Sequence, residues 1–169
     1  MPPWTFLRSV ALRMDDLFYE SKLKSAISRL GLQAEHRHFG QSCHSVAEAA
    51  AAVGADASDF VKNVGLSDAS GNVVICIVKG EDKVDKVAAA RIAGVSKLKT
   101  APPDLMLEKT GYPVGGTPSF GYPAVFLVDE RVMAKTTVWT GGGSSHALVR
   151  IAPVDLVAAN GGQVCRIRL

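Results

Sequence analysis

The sequence predicts one domain in which helices and strands are mixed. Three observations carry that expectation. The chain has 169 residues, 47% hydrophobic and 21% charged, enough for a single substantial core. Stretches with apolar residues at helical spacing are interleaved with short apolar runs bounded by glycine, proline and Asx residues. No internal repeat, linker or low-complexity segment divides the chain.

Taken in order, residues 15–30 read as a helix, with Tyr19, Leu23, Ile27 and Leu30 on one face and Gly31 as its stop. Residues 34–39 read as a short polar edge strand. Ser45 with Glu48 spells a capping box, and an alanine-rich helix follows to Val53, closed by Gly54. Residues 60–66 and 73–78 form a strand pair around a turn containing Asp68, Gly71 and Asn72, with Lys62 in the first strand. Asp82 is expected to cap a helix over 83–93, with Val84, Val87, Ala88 and Ile92 inward and Lys83, Lys86 and Arg91 outward. Lys97 and Lys99 follow on a short strand. Pro102 and Pro103 open a helix through Lys109. After a glycine-rich loop, strands are expected at 124–128, 132–134, 136–140 and 147–152. Pro153 starts a helix through Ala159, and 164–167 read as a last strand.

The formal charge of +3 permits a nucleic-acid partner without requiring one. Cys43, Cys76 and Cys165 cannot all pair and show no C-x-x-C spacing. His36, His38, His44 and His146 show no metal-ligand pattern. The expectation is a reduced, cytoplasmic protein with no metal and no cofactor. No apolar run approaches a membrane span, and residues 1–13 lack the long apolar stretch and cleavage site of a signal peptide. Those residues read as an N-terminal extension or arm, with the domain proper at 14–169.

Two loops stand out. Residues 111–123, GYPVGGTPSFGYP, hold four glycines and three prolines ahead of an apolar strand. Residues 141–146 read GGGSSH. Glycine permits close approach of backbone to a ligand and proline stiffens the loop. Such a loop is either a surface connector or a cradle of N–H groups for an oxyanion or phosphate. Neither loop matches a P-loop, a dinucleotide fingerprint or a nucleophile elbow, which leaves nucleotide-fold and classical serine chemistry without support.

DFVKNVGL with its hairpin, then TGYPVGGTPSFG, then GGGSSHALVRIAPVDL resembles, in that order, the YbaK/prolyl-tRNA synthetase-associated editing domain family. The resemblance runs from about Ser21 to Cys165. It implies an α/β (α+β) domain whose central sheet is mixed and barrel-like, surrounded by helices. It also implies hydrolysis of a wrongly charged aminoacyl-tRNA, typically tRNA for proline carrying alanine or cysteine, by a freestanding protein with prolyl-tRNA synthetase as a partner and neither DNA nor membrane involved. The family's strand lysine falls on Lys62, its glycine loop on Gly115 to Ser119, and its later loop on Gly141 to His146. One departure concerns the loop motif G-x-x-x-P: here Ser119 stands four positions after Gly115, and the proline is Pro118.

On this resemblance the substrate is an ester between an amino acid and the terminal ribose of the tRNA 3′ end. The N–H groups of Gly115 and Gly116 are expected to receive the developing oxyanion, and Lys62 a phosphate or ribose oxygen. His146 either orients the substrate or is a satisfied strand-end histidine. Tyr112, Thr117, Pro118, Ser119, Gly141, Gly142, Gly143 and Ser144 are expected to shape the binding surface. No residue is an obvious general base, so the ribose hydroxyl is a candidate for that work. The rival reading is a non-catalytic module of the same fold that binds an aminoacyl-tRNA end or a synthetase. A small-molecule esterase is a third. Lys83, Lys86, Arg91, Lys97 and Lys99 form either a solvated face or a contact for the tRNA backbone.

Overall fold

The computed structural model describes residues 3–169, with side chains from Met14 onward. The packing of an arm at 1–13 lies outside the described residues. The backbone of the first helix, α1 (Pro3–Arg29), runs without a break across the expected boundary at 13/14. From α1, Leu23 is fully buried and Tyr19 and Ile27 pack against the same core, while Leu30 is exposed. Among the described residues no helix is long and apolar enough to cross a membrane.

The strands form two sheets. In the first, β7 (Ala147–Ile151) is central, flanked antiparallel by β1 (Ala34–His38) and β6 (Val138–Gly141). In the second the order is β4 (Lys99–Thr100), β2 (Val61–Ser67), β3 (Val73–Lys79), β5 (Val125–Asp129) and β8 (Gln163–Cys165). The β2–β3 hairpin is antiparallel. β3 pairs β5, and β5 pairs β8, in parallel. β3 is buried along its whole length, as expected of an apolar strand covered on both faces. The barrel-like expectation needs correction: the sheets are open, and the strand pairing between them among the described residues is one isolated bridge, Phe60 to Trp139.

The helices α2 (Val46–Val53), α3 (Lys86–Ala93), α4 (Pro103–Thr110) and α5 (Pro153–Asn160) end on glycines or start on caps as the sequence suggests. The Ser45 hydroxyl accepts the Glu48 N–H at 3.1 Å, and Gly54 is left-handed. Three expectations fail. The cap of α3 is Asp85, not Asp82, whose carboxylate instead pairs with Arg131 at 2.6 Å; the helix therefore starts later, and Val87 points to solvent. Residues 132–134 form part of a 3-10 turn, capped by Asp129, rather than a strand. The last strand ends at Cys165, because the Ile167 N–H is given to the buried Asp129 carboxylate at 3.0 Å.

The two faces of the larger sheet bury different clusters. Val61, Val73, Ile75 and Ile77 meet Leu23, Tyr112, Phe120 and the smaller sheet. Leu66, Val74, Cys76 and Val78 meet Ala89 and Ala90 of α3, and Val64 packs against them. The alternation follows from the two-residue period of a strand.

Candidate active site

β4 pairs only with Leu66 and Ser67, so the edge of β2 before them carries no strand partner. A cleft of about 310 Å³ opens along that edge. Its walls are β2 from Val61 to Gly65, the start of α2 with Cys43 and His44, Thr100 and Ala101, the glycine loop at Gly115 and Thr117, and the smaller sheet at Trp139 to Gly141. The volume lies at the lower end of the range for ligand clefts. A second hollow, between the end of α1 and α5, is lined by Arg29, Tyr122 and Asn160 and holds none of the residues expected to act.

The cleft brings together Lys62, Gly115, Thr117 and Gly141, which lie far apart in sequence. Lys62 is partly exposed and makes no ion pair with a described residue. Beside it, Asn63 anchors the glycine loop. Its amide donates to the Thr117 carbonyl at 2.9 Å and to Thr140 Oγ1 at 3.0 Å, and its Oδ1 accepts from Ser119 Oγ at 2.7 Å. Ser119 Oγ and Thr140 Oγ1 are 2.7 Å apart. Since the Ser119 hydroxyl proton is given to Asn63, the proton between the hydroxyls must come from Thr140. The three side chains therefore close a ring with one proton per link, each polar group satisfied in a buried place.

Other expected residues are elsewhere. Ser119 is fully buried in that ring, and Pro118 is buried with its carbonyl accepting the Tyr122 hydroxyl at 2.7 Å. Tyr112 is a core residue with no exposed surface, beneath Lys22 of α1; burial pushes its phenol up to about 12. Gly116 cannot supply the oxyanion donor, because its N–H is given to Pro113 O at 3.1 Å; its carbonyl accepts the Gly143 N–H at 2.8 Å. The Gly115 N–H has no acceptor among the described residues. Gly142 and Gly143 are buried where backbones cross, and the Ser144 hydroxyl accepts the His146 N–H at 3.0 Å. His146 faces away from the cleft, its Nδ1 3.4 Å from Asp16 of α1.

Sequence reasoning missed His44 and Asn63. The His44 ring lies against the Cα of Gly115, which holds a left-handed φ of 93°. A clue to Asn63 was present: Lys62 and Asn63 put polar groups on both faces of an otherwise apolar strand. Met106 was also missed. Its sulfur occupies the place a side chain at Gly65 would take, and Met106 forms part of the cleft wall there. The Cys43 thiol lines the cleft, but burial pushes its pKa up, which disfavours the nucleophilic thiolate.

The cleft thus carries one lysine, one histidine and part of the first glycine loop in its lining. Residues 41–159 match the model of the aminoacyl-tRNA editing domain, so the chain belongs to that family. It is similar to the uncharacterized protein YwhH of Bacillus subtilis (strain 168), 27% identical over 121 residues that cover 70% of this chain and 76% of that one. The fold is similar to that of the hypothetical protein APE2540, with TM-score 0.80 and 31% identity over 88% of this chain and 99% of that one. It is equally similar to a proposed trans-editing enzyme for prolyl tRNA synthetase, with TM-score 0.82 and 28% identity over 89% and 97% of the two chains.

Proposed function

We propose that the protein is an aminoacyl-tRNA deacylase that acts in trans, in the cytoplasm, on tRNA for proline carrying alanine or cysteine. The observation that carries the reading is that Lys62 and Gly115, whose N–H has no acceptor among the described residues, line one cleft. Attack of water on the ester carbonyl builds negative charge on its oxygen. The Gly115 N–H receives that charge, and one such donor is worth about 3 kcal/mol. Lys62 holds a phosphate or ribose oxygen of the terminal adenosine as a compact cation. No carboxylate lines the cleft among the described residues, so the ribose hydroxyl, with the His44 imidazole beside it, takes the part of the base.

Selection by size suits the cleft. Ala49, Ala101, Val64 and Met106 leave room for a small side chain. Exclusion is needed because a methylene supplies only ~1–3 kcal/mol of discrimination by binding. The lack of a carboxylate also favours a second reading, a module of the family that binds an aminoacyl end without cleaving it. Incubation with tRNA for proline charged with alanine, cysteine or proline separates the two. The deacylase releases alanine or cysteine and spares proline. A binding module retains all three esters while shifting the tRNA in a binding assay.

A further inference from the structure

Resting on the reading that the ester is carried by RNA, we infer that the RNA's phosphates lie across the α3–β4 edge of the sheet, on Lys86, Lys97 and Lys99. Between Lys83 and Thr100 the chain carries Lys83, Lys86, Arg91, Lys97 and Lys99 against one acid, Asp85. That carboxylate is occupied in capping α3, accepting the N–H groups of Val87 and Ala88. All five cations are exposed, and none makes an ion pair with a described residue. The cations near the opposite end of the same sheet differ: Lys79, Arg131, Lys135 and Arg168 are each paired with an acid. Besides Lys62, the other described cations without an ion pair to a described residue, Lys22, Lys24, Arg29, Lys109, Arg150 and Arg166, are spread along the chain, whereas these five fall within seventeen residues.

That stretch is also continuous with the cleft. Thr100 is part of the cleft wall, and its hydroxyl binds Lys86 Nζ at 3.0 Å. Lys99 is its neighbour in β4 and leaves on the other side of that edge strand, since it pairs with Ser67 while Thr100 pairs with Leu66 of the α3 face. Lys62 lies two residues before Val64 on β2 and so leaves the sheet on the same face, the one α3 covers. A strand end with its ester at Lys62 would bring the phosphates behind it onto Lys86 and, across the exposed edge of β4, onto Lys99. Exposed lysines bind a polyanion by displacing its counterions, which makes contact strong at low salt and indifferent to base sequence. α1 lies against the other face of the sheet; Arg29 lines the second hollow, Lys24 lies near His36, and neither lines the cleft.

The test uses the full chain and an uncharged RNA hairpin with a single-stranded CCA 3′ end, titrated by fluorescence anisotropy at several salt concentrations. The triple variant Lys86→Gln/Lys97→Gln/Lys99→Gln is expected to weaken binding by roughly tenfold to a hundredfold at 0.1 M salt. It should also flatten the slope of log K against log salt by about 2. Lys97→Gln/Lys99→Gln, which keeps the Lys86–Thr100 bond, is expected to fall between. Lys24→Gln/Arg29→Gln should bind as the unsubstituted protein does. Equal binding by the triple variant, equal weakening by the α1 variant, or no binding by the unsubstituted protein overturns the inference. Since the hairpin carries no ester, this readout is independent of hydrolysis. Patch-dependent binding without deacylation would sink the proposed function alone, and deacylation without patch-dependent binding would sink this inference alone.

Discussion

The two glycine turns look alike in sequence and do different work. In the first, Gly115 lines the cleft, and the atoms nearest to a side chain there belong to the movable ring of His44. In the second, glycine is required because backbones touch. A Cβ on Gly141 would lie 2.2 Å from Thr117 O, on Gly142 2.3 Å from the carbonyl carbon of Ala147, and on Gly143 2.8 Å from Tyr19 O of α1. Gly116 belongs with this second group, pressed against Gly143 and Ser144. One turn is open to a ligand; the other is the joint that fastens the smaller sheet to the first loop and to α1. Glycine content alone therefore says nothing about ligand binding until the neighbour of each Cα is known.

The sharpest way to break that distinction is Gly142→Ala. Its methyl would meet main chain that cannot swing aside, so we expect about 3 kcal/mol or more of destabilisation, a fall in Tm of roughly 6–12 °C. An unchanged melting temperature would contradict the joint. Next in size is Ser119→Ala, which opens the hydrogen-bonded ring and leaves Asn63 Oδ1 without its donor. The expected cost is about 1–3 kcal/mol in denaturant unfolding, with deacylation slowed because Asn63 no longer holds the loop at Thr117. A smaller cost, about 1–2 kcal/mol, is expected for Gly115→Ala, from the left-handed φ together with the displacement of the His44 ring. Its stability should be nearly kept and its deacylation lost, the reverse balance to Gly142→Ala, and measuring both quantities on both variants separates the turns.

The smallest effect is a pH dependence at the joint. His36 Nε2 lies 2.8 Å from Gly142 O and must donate to it, which leaves Nδ1 buried and without a partner. Burial lowers the His36 pKa below its ordinary 6.5, outweighing the bond to Gly142, which raises it; Lys24 and His38 also lower it and Glu20 raises it. The unfolded chain therefore binds the proton more tightly, and stability must decline as pH falls below about 6.5. Thermal melts at about pH 7.5 and about pH 5.5 should show that decline reduced in His36→Gln. Equal declines in both proteins would remove His36 from the account.

Much of this was legible in the chain, in proportion to how local its cause is. The capping box at Ser45, the left-handed stop at Gly54, the β2–β3 hairpin and the proline-opened helices are set by a few adjacent residues, and they stand where the pattern puts them. What failed depended on distant partners. Asp82 resembles a cap, but Arg131, 49 residues away, claims it. The apolar run ending at Ile167 resembles a strand, but Asp129 takes its N–H. In the site, the family resemblance pointed to Lys62 and to both loops, of which Gly115, Thr117 and Gly141 line the cleft with it. The withdrawal of Tyr112 into the core, of the Gly116 N–H into a turn and of His146 toward Asp16 did not, because each is decided by packing against α1 or by a bond within the loop.

The central claim is that Lys62 and the first glycine turn act together on a small ester. Single-turnover deacylation of alanine-charged tRNA for proline by the unsubstituted protein and by Lys62→Ala tests it most directly. The account predicts hydrolysis by the former and a rate lower by about a hundredfold or more in the latter, with the melting temperature kept. Equal rates in the two proteins, or no release of alanine by the unsubstituted one, would contradict it.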